Sequence, residues 1–444
     1  MTLSSTHVST NGSVPATTAK YGHHPLHDRS RRPLHVIVVG AGPSGIATLI
    51  ELKKLPFITI TCFEKNSDVG GTWLETRYPG AACDVASHAY QYTFDSKTDW
   101  SRHFAPAEEI GQYFISVAEK HDLYPTITFN SRVIGAEWDE SKAIWRVQVT
   151  TGISTGNEES VIEEHQAHIF INAGGILNDW KWPDIEGLEL FKGTRVHTAA
   201  WWAEKMMKGA IASPQLQEKL IPSWELGCRR LTPSLPYLKA VQEPNVDVIR
   251  TGIRKITETG IETEDGKLHK ADILICATGF NTSFSSRFKI IGRGGLSLKE
   301  MWKARGPEAY LGTAIAGLPN YFTLLGPNCP IANGSLTDQI RSLNVKKPLQ
   351  DAFNEYVQEV HKDLVWTGSC NSWYKDRQTG RVIAVWPGSS IHFMEMIENP
   401  RWEDFDIDYL HSNPFTFMGN GISQRETTGQ DLTFYLDDMV GKVL

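Results

Sequence analysis

The chain has 444 residues, of which 41% are hydrophobic and 21% charged, and six scattered cysteines without metal-ligand spacing, so we expect a globular protein with free thiols and no bound metal. Its net charge of −7 and its lack of a dense Lys/Arg run argue against a nucleic-acid partner. No apolar run has the length of a membrane span and no signal peptide opens the chain, which predicts a cytoplasmic protein that does not bind membranes.

The order of predicted elements favours an α/β fold. Residues 1–32 are rich in Ser, Thr, Gly, Pro and His, and we expect them to form a disordered tail. From Leu34 onward, strand and helix patterns alternate. The predicted elements are a βαβ unit (34–65), a loop region rich in Trp and Tyr (70–100), a helix (107–121), a β-meander (127–172), a mixed segment (185–245), a hairpin and strand (249–277) and a helix (348–362).

The first motif is a glycine-rich turn between a strand and a helix, in HVIVVGAGPSGIATLIELKK. Gly40 permits the tight turn, Gly42 lets the backbone approach a pyrophosphate, and Gly45 packs the helix on the strand. Glu64 follows nineteen positions after Gly45, at the end of the next strand. A carboxylate there accepts hydrogen bonds from ribose hydroxyls and disfavours a 2′-phosphate, so the site suits FAD or NAD rather than NADP.

Two further motifs indicate more closely which class of nucleotide-binding protein this is. VGGTWLETRYPGAACD has the form G-G-x-W, then Y-P-G, then Asp84. The spacing F-x-G-x-x-x-H-x-x-x-W occurs in Phe191, Gly193, His197 and Trp201. With these motifs the chain resembles the Baeyer–Villiger branch of the class B flavoprotein monooxygenases, from about Leu34 to at least Ser390. The stretch CNSWYKDRQTGRVIAVWPGSS is similar to the fungal secondary-metabolite members of that branch.

The resemblance implies a fold, cofactors and contacts. Members bind FAD in a three-layer Rossmann-like domain with a β-meander, reduce it with NADPH bound by a second nucleotide-binding domain, and insert one oxygen of O2 beside a ketone carbonyl. LGPNCP (Leu325–Pro330) resembles the loop beneath the isoalloxazine ring, and DILICATGF (Asp272–Phe280) resembles the strand that returns from the second domain. The residues matching flavin contacts are Thr72, Trp73, Leu74, Glu75, Asp84, Val85 and Tyr90, and those bordering the nicotinamide are Ala82, Cys83 and Asp84.

The catalytic residues implied by the resemblance lie in ELGCRRLTP. Arg230 matches the active-site arginine of the family, and Arg229 matches the basic residue before it. A fixed guanidinium would stabilise negative charge on the reacting oxygen and then on the ketone adduct. Asp84 is the residue expected to orient Arg230. By local sequence alone an Arg-Arg pair is typical of a solvated surface, so this assignment depends on the resemblance.

A second Rossmann core is missing from the expected place. After Trp201 the family pattern continues with a strand and another glycine turn, whereas this chain continues as WAEKMMKG, which predicts a helix leading into the Arg230 region. The absent core amounts to roughly 100 residues or more. We therefore predict four parts: the tail 1–32, a first FAD-domain part 33–202, a remnant of the NADPH domain 203–270, and a second FAD-domain part with the substrate side, 271–444.

These observations predict a FAD-dependent Baeyer–Villiger-type monooxygenase that acts on a hydrophobic polyketide or terpenoid ketone, with O2 as co-substrate. NADPH is a doubtful reductant, because only Arg229 and Arg230 remain to hold its phosphates, and an external reductant is the alternative. Three explanations of the gap stay open: an incomplete gene product, a flavoenzyme with a changed electron source, and a flavin-binding pseudoenzyme. Within enzymes, heteroatom oxidation is the alternative reaction.

Overall fold

The computed structural model describes residues 33–78, 80–151, 161–176, 185–192, 194–197, 235–278, 286–328, 340–369, 372–376 and 378–409, with the short pieces 213, 216, 281, 283–284, 425–426 and 429–430. The predicted tail 1–32 lies outside these residues. The chain divides into two units, of which one comprises Pro33–Leu336 and Ser342–Ile407 and the other Met1–Arg32, Thr337–Arg341 and Asp408–Leu444. The elements described below belong almost entirely to the first unit.

The strands, in chain order, are β1 Leu34–Val39, β2 Ile58–Phe63, β3 Ile127–Thr128, β4 Ser131–Asp139, β5 Ile144–Thr151, β6 Val161–Ala167, β7 Ile169–Asn172, β8 Thr194–His197, β9 Ile253–Thr257, β10 Gly260–Thr263, β11 Leu268–Lys270, β12 Ile273–Cys276, β13 Lys289–Ile291, β14 Tyr321–Thr323, β15 Ile340–Val345 and β16 Phe405–Tyr409. The α-helices are α1 Pro43–Lys53, α2 Thr72–Glu75, α3 Ala107–Lys120, α4 Leu235–Ala240, α5 Leu298–Arg305, α6 Lys347–His361 and α7 Ser390–Ile397. Short 3-10 turns are Ser87–Tyr90, Tyr124–Thr126, Leu188–Leu190, Arg293–Gly295, Val365–Thr367 and Trp402–Asp404.

The central element is a parallel sheet with the strand order β14-β7-β1-β2-β3. Residues 36–39 of β1 are all apolar because both faces of the strand are covered there. Val36 and Val38 pack into one core cluster with residues of α1 and α3, whereas Ile37 packs into a second cluster with residues of β4 and β5. The predicted α/β fold is confirmed. The three layers of its Rossmann-like domain are the helices, the parallel sheet and the meander.

The meander is shorter than the sequence predicts. Antiparallel pairing joins β4 to β5 and β5 to β6, and β13 adds to β4 in parallel. The predicted range 127–172 also contained β3 and β7, but both join the parallel sheet instead. In β7, the run Ile169–Phe170–Ile171 is apolar on both faces, which suits a strand covered from two sides rather than one.

The remaining described strands form smaller sheets. β9, β10 and β11 make an antiparallel sheet, β8 and β12 make a parallel pair, and β15 pairs with β16. In β12, Leu274 and Cys276 are buried, while Ile273 and Ile275 are 56% and 58% exposed. One face of β12 is therefore open. Among the described residues, no helix has the length and apolarity needed to cross a membrane.

Candidate dinucleotide-binding site

The glycine turn lies at the carboxyl edge of the parallel sheet, between β1 and α1. Gly40 has φ +94°, and a Cβ there would stand 2.9 Å from the carbonyl oxygen of Ala173, directly after β7. A Cβ on Gly45 would stand 1.9 Å from the carbonyl oxygen of Gly40, so only glycine lets α1 pack this closely on the strand end. β1 pairs with β2 on one side and β7 on the other, and such sheets bind ligands at this kind of edge.

Gly42 presents open backbone at the start of α1. A Cβ added there would meet only Gly71, at 3.5 Å from its Cα, so the position tolerates a side chain sterically. The first turn of α1 begins Pro43-Ser44-Gly45, which carries no charge. The positive end of the helix dipole and its free backbone N–H groups are thus available to an anion.

Glu64 is buried beside this turn, with 3% of its surface exposed. Its Oε2 accepts a hydrogen bond from the backbone N–H of Ala41 at 2.7 Å, and its Oε1 accepts one from the backbone N–H of Asn66 at 2.8 Å. These bonds fix the carboxylate at the end of β2, where it keeps lone pairs for further donors such as ribose hydroxyls.

The G-G-x-W segment packs against the glycine turn. Gly70 and Gly71 have φ +113° and +54°, and the backbone N–H of Gly70 donates to the carbonyl of Ala41 at 3.0 Å. A Cβ on Gly71 would stand 3.0 Å from the Cα of Gly42. The two glycine-rich segments therefore approach each other through bare backbone, and α2, with the predicted flavin contacts Thr72 to Glu75, begins there.

Trp73, Tyr90 and Asp84 form one connected group. The rings of Trp73 and Tyr90 meet edge to face with centroids 4.9 Å apart, and the Tyr90 hydroxyl donates to Asp84 Oδ1 at 2.6 Å. In α2, Glu75 makes an ion pair with Lys65 at 2.7 Å. The structure thus brings together residues that the sequence assigned to the flavin, and it adds a direct contact of Tyr90 with Asp84.

The other predicted residues of this loop have mixed environments. Ala82 forms a β-bridge with Pro106, and Val85 is exposed. Cys83 is buried, its Sγ lies 3.9 Å from the Ser87 hydroxyl, and desolvation raises the pKa of its thiol. A buried thiol with a raised pKa is a weak nucleophile, which is compatible with packing beside a cofactor rather than with covalent chemistry.

Tyr92 combines a packing role with a hydrogen-bonding role. Tyr92 stacks on Phe94 and packs against Tyr113, as a core aromatic does. Its hydroxyl also donates to the carbonyl of Pro43 at 2.5 Å, and its backbone N–H donates to Tyr113 Oη at 2.8 Å. Tyr92 thus fastens the first turn of α1 to α3. No local sequence signal indicates this contact, because the partners are 49 positions apart.

The loop after β14 lies at the same sheet edge. The backbone N–H of Leu324 donates to the carbonyl of Asn172, at the end of β7, at 3.0 Å. Leu325 and Asn328 are non-glycine residues with φ +55° and +63°. This is the part of LGPNCP that the structure describes, and it stands beside the strand end that contacts Gly40.

Several predicted residues lie outside the described residues. Arg229, Arg230, Gly193, Trp201 and Gly279 are among them, and for His197 only the backbone of β8 is described. Their assignments stay predictions. Within the described ranges, no group of three His, Cys, Asp or Glu side chains is placed to hold a metal ion.

Comparison with known proteins places this site in a family. A family model for NAD(P)-binding Rossmann-like domains matches residues 38–105. The FAD-binding monooxygenase stcW of Emericella nidulans is 34% identical over 529 residues, which span 90% of this chain and 88% of the relative. A Baeyer–Villiger monooxygenase of Streptomyces coelicolor is 28% identical over 486 residues, 83% of this chain and 91% of the relative.

The fold is also shared with a solved enzyme. The crystal structure of cyclohexanone monooxygenase from Rhodococcus sp. Phi1 bound to NADP+ superposes with a TM-score of 0.74 at 20% identity, covering 85% of this chain and 100% of the other. In the alignment with the E. nidulans relative, about 400 residues of this chain extend over 529 positions. About 130 positions of that relative therefore have no counterpart here.

The fold, the glycine turn and these relatives define a flavin-dependent oxidoreductase. The chain belongs to the family of FAD-binding monooxygenases of the Baeyer–Villiger type. The site has two features that fit FAD. Bare glycine backbone lies at a helix N-terminus, and a fixed, buried carboxylate stands nineteen positions beyond Gly45.

Proposed function

We propose that this monooxygenase inserts one oxygen atom of O2 beside the carbonyl of a hydrophobic ketone, of polyketide or terpenoid type, in fungal secondary metabolism. The observation that carries the proposal is the connected group of Trp73, Tyr90 and Asp84 beside the glycine turn. It places a carboxylate next to the segment that resembles the flavin contacts of Baeyer–Villiger enzymes. The 34% identity with a fungal FAD-binding monooxygenase supports the biological setting.

We assign the residues that would hold FAD from the geometry of the glycine turn and from the family resemblance. The backbone at Gly40, Gly42 and the first turn of α1 would bind the pyrophosphate, and Glu64 would accept hydrogen bonds from the ribose. Gly45 serves by close packing. The residues proposed to contact the flavin are Thr72, Trp73, Leu74, Glu75, Asp84, Val85 and Tyr90, with Ala82 and Cys83 on the nicotinamide side. When bound, FAD supplies the electrons that activate O2.

The chain's own contribution to oxygen insertion is electrostatic. We assign Arg230 to stabilise negative charge on the reacting oxygen and on the ketone adduct, with Arg229 beside it. Asp84 is assigned to orient Arg230. The Tyr90 hydroxyl donates to Asp84 Oδ1 at 2.6 Å, which supports that role because it fixes the orientation of the carboxylate.

The source of electrons is the second part of the proposal. The 130 or so unmatched positions of the E. nidulans relative are comparable in length to the missing Rossmann core. A chain without that core lacks the second glycine turn, so we propose that NADPH is at best a poor reductant and that an external reductant delivers electrons to FAD.

A single experiment separates the alternatives. The FAD-loaded protein is reduced chemically, mixed with oxygenated buffer, and offered matched panels of bulky ketones and sulfides. Baeyer–Villiger activity yields esters or lactones, and heteroatom oxidation yields sulfoxides. A flavin-binding pseudoenzyme or incomplete gene product would bind FAD and give only hydrogen peroxide. If no ketone yields an ester or lactone while sulfides yield sulfoxides, the reaction is heteroatom oxidation and the proposed Baeyer–Villiger reaction is wrong.

A further inference from the structure

The inward face of α6 carries amide side chains. Gln350 and Asn354 are each 1% exposed, and Gln358 is one turn further along the helix. Apolar residues fill such positions at lower cost, because a buried amide must find hydrogen-bond partners for its donors and its acceptor. A row of two buried amides and one half-buried amide therefore indicates that α6 is hydrogen-bonded to neighbouring segments in addition to packing on them.

Each amide of α6 fastens a different segment. Gln350 Oε1 accepts from the backbone N–H of Ala316 at 2.7 Å. Gln358 accepts from the backbone N–H of Val382 at 3.1 Å and donates to its carbonyl at 2.7 Å. Asn354 Oδ1 accepts from Asn328 Nδ2 at 3.0 Å. Asn354 is thus the member of the row that contacts the loop after β14.

Asn328 is held from two sides in an unfavourable backbone conformation. Its φ of +63° is rare for a residue with a side chain, and Leu325 in the same loop has φ +55°. Its backbone N–H donates to the carbonyl of Ile383 at 2.9 Å, and its side chain donates to Asn354. Such conformations persist only where the surroundings fix them, and they cluster at ligand sites.

The orientation of the Asn354 amide is also determined. Its Nδ2 donates to the carbonyl of Ala309 at 3.1 Å and to that of Gln350 at 2.7 Å, so its Oδ1 is the atom that faces Asn328. Asn328 is itself 1% exposed. The pair is a buried, directional bond between α6 and a loop at the cofactor edge of the sheet.

We propose that Asn354 is a positioning residue for FAD. Through its bond to Asn328 it holds that residue in its left-handed conformation and so fixes the 325–328 loop, which the resemblance places beneath the isoalloxazine ring. This inference rests on the FAD site proposed above. The loop reaches that site because Leu324 is bonded to Asn172 at the end of β7, next to the residue that contacts Gly40.

A double-mutant cycle tests the proposal, with the dissociation constant of FAD as the readout. Asn354→Ala should weaken FAD binding about 10-fold, as expected for loss of a buried hydrogen bond that fixes the site. Asn328→Gly should weaken it by a similar factor, since glycine keeps access to positive φ but loses the tether. In the Asn328→Gly background, Asn354→Ala should change the constant by less than about 2-fold, because the two residues act as one unit.

Gln350→Ala is the matched control. It removes an equally buried amide and one backbone bond from the same helix, but it leaves Asn328 untouched. It should lower the melting temperature of the apoprotein as Asn354→Ala does, while FAD affinity stays within about 2-fold of wild type. Equal weakening by both variants, or the same factor for Asn354→Ala in both backgrounds, would overturn the inference.

The possible outcomes distinguish a failure of this inference from a failure of the proposed function. If Asn354→Ala does not fold, Asn328→Gly decides alone: wild-type FAD affinity in that variant removes the positioning role. A wild-type protein that binds no FAD removes the proposed function together with this inference. Wild-type FAD binding with unchanged affinity in both variants removes only the inference.

Discussion

Two of the parallel arrangements in the described part of the chain, the β1 sheet and the β8–β12 pair, differ in how completely their faces are covered. In the β1 sheet, Val36, Val38 and Ile37 are all buried because layers pack on both faces. In the β8–β12 pair, alternate residues of β12 stand open to solvent. Parallel strands normally require cover on both sides. We propose that the first sheet belongs to a complete nucleotide-binding unit and the second to an incomplete one, so the two should respond differently to substitution and to ligands.

The largest effect is expected from Gly42→Asp in the complete unit. A Cβ at Gly42 is tolerated by the fold, but a carboxylate would face the pyrophosphate, and such like-charge opposition costs several kcal/mol. We expect FAD affinity to fall by about 10²-fold or more, measured by flavin retained after gel filtration. Gly42→Ala is the control that keeps the added carbon without the charge. Full flavin content in Gly42→Asp would show that the pyrophosphate lies elsewhere.

Arg230→Ala should leave FAD bound and remove oxygen insertion. One charge contact on a developing oxyanion contributes about 10²- to 10³-fold to the rate. The measurement is ester yield from chemically reduced enzyme and a ketone panel, compared at equal flavin content. Arg229→Ala serves as the neighbouring control, with a smaller loss expected. Equal ester yields from wild type and Arg230→Ala would exclude that residue from the mechanism.

The incomplete unit predicts poor use of NADPH. If this unit lacks a second glycine turn, as we propose, the nicotinamide would be poorly positioned, and misplacement of a reactant commonly costs about 10²-fold in rate. Anaerobic stopped-flow mixing should therefore show slow, weakly saturating bleaching of the flavin, while dithionite reduces it fully. In turnover, O2 should appear largely as hydrogen peroxide, because no bound nucleotide shields the flavin from water. Fast, saturable bleaching would mean that the remnant 203–270 still assembles a nicotinamide site.

The comparison of regions also shows which features of the fold and site can be predicted from the sequence and which cannot. The glycine turn with Glu64 can be predicted from the sequence because part of its geometry is local: Gly45 packs against the carbonyl of Gly40, and Glu64 accepts from Ala41, within one βαβ unit. The hydrogen bond from Tyr92 to Pro43 and the contacts of the α6 amides cannot be predicted from the sequence. A polar residue such as Asn354 is normally assigned to the surface, and only partners far along the chain, such as Asn328, explain its burial.

The placement of β7 was missed for a related reason. Its four residues follow β6 almost directly, so a continued meander is the economical interpretation. Membership in the parallel sheet depends on pairing with β1 and β14, which lie more than 100 positions away in both directions. Short apolar strands do not reveal their partners, because their pattern is the same in either sheet.

The smallest effect is expected from Ile275→Ala on the open face of β12. Ile275 is 58% exposed, so truncation removes little buried surface, and the free energy of unfolding should change by no more than about 0.5 kcal/mol. Ile37→Ala, at a fully buried position of β1, removes the same atoms and should cost about 2–5 kcal/mol because it leaves a cavity in the core. Urea denaturation of the FAD-loaded protein gives both values under one condition. A cost of about 2 kcal/mol or more for Ile275→Ala would mean that this face is covered in solution, and the β8–β12 pair would then be part of a complete unit after all.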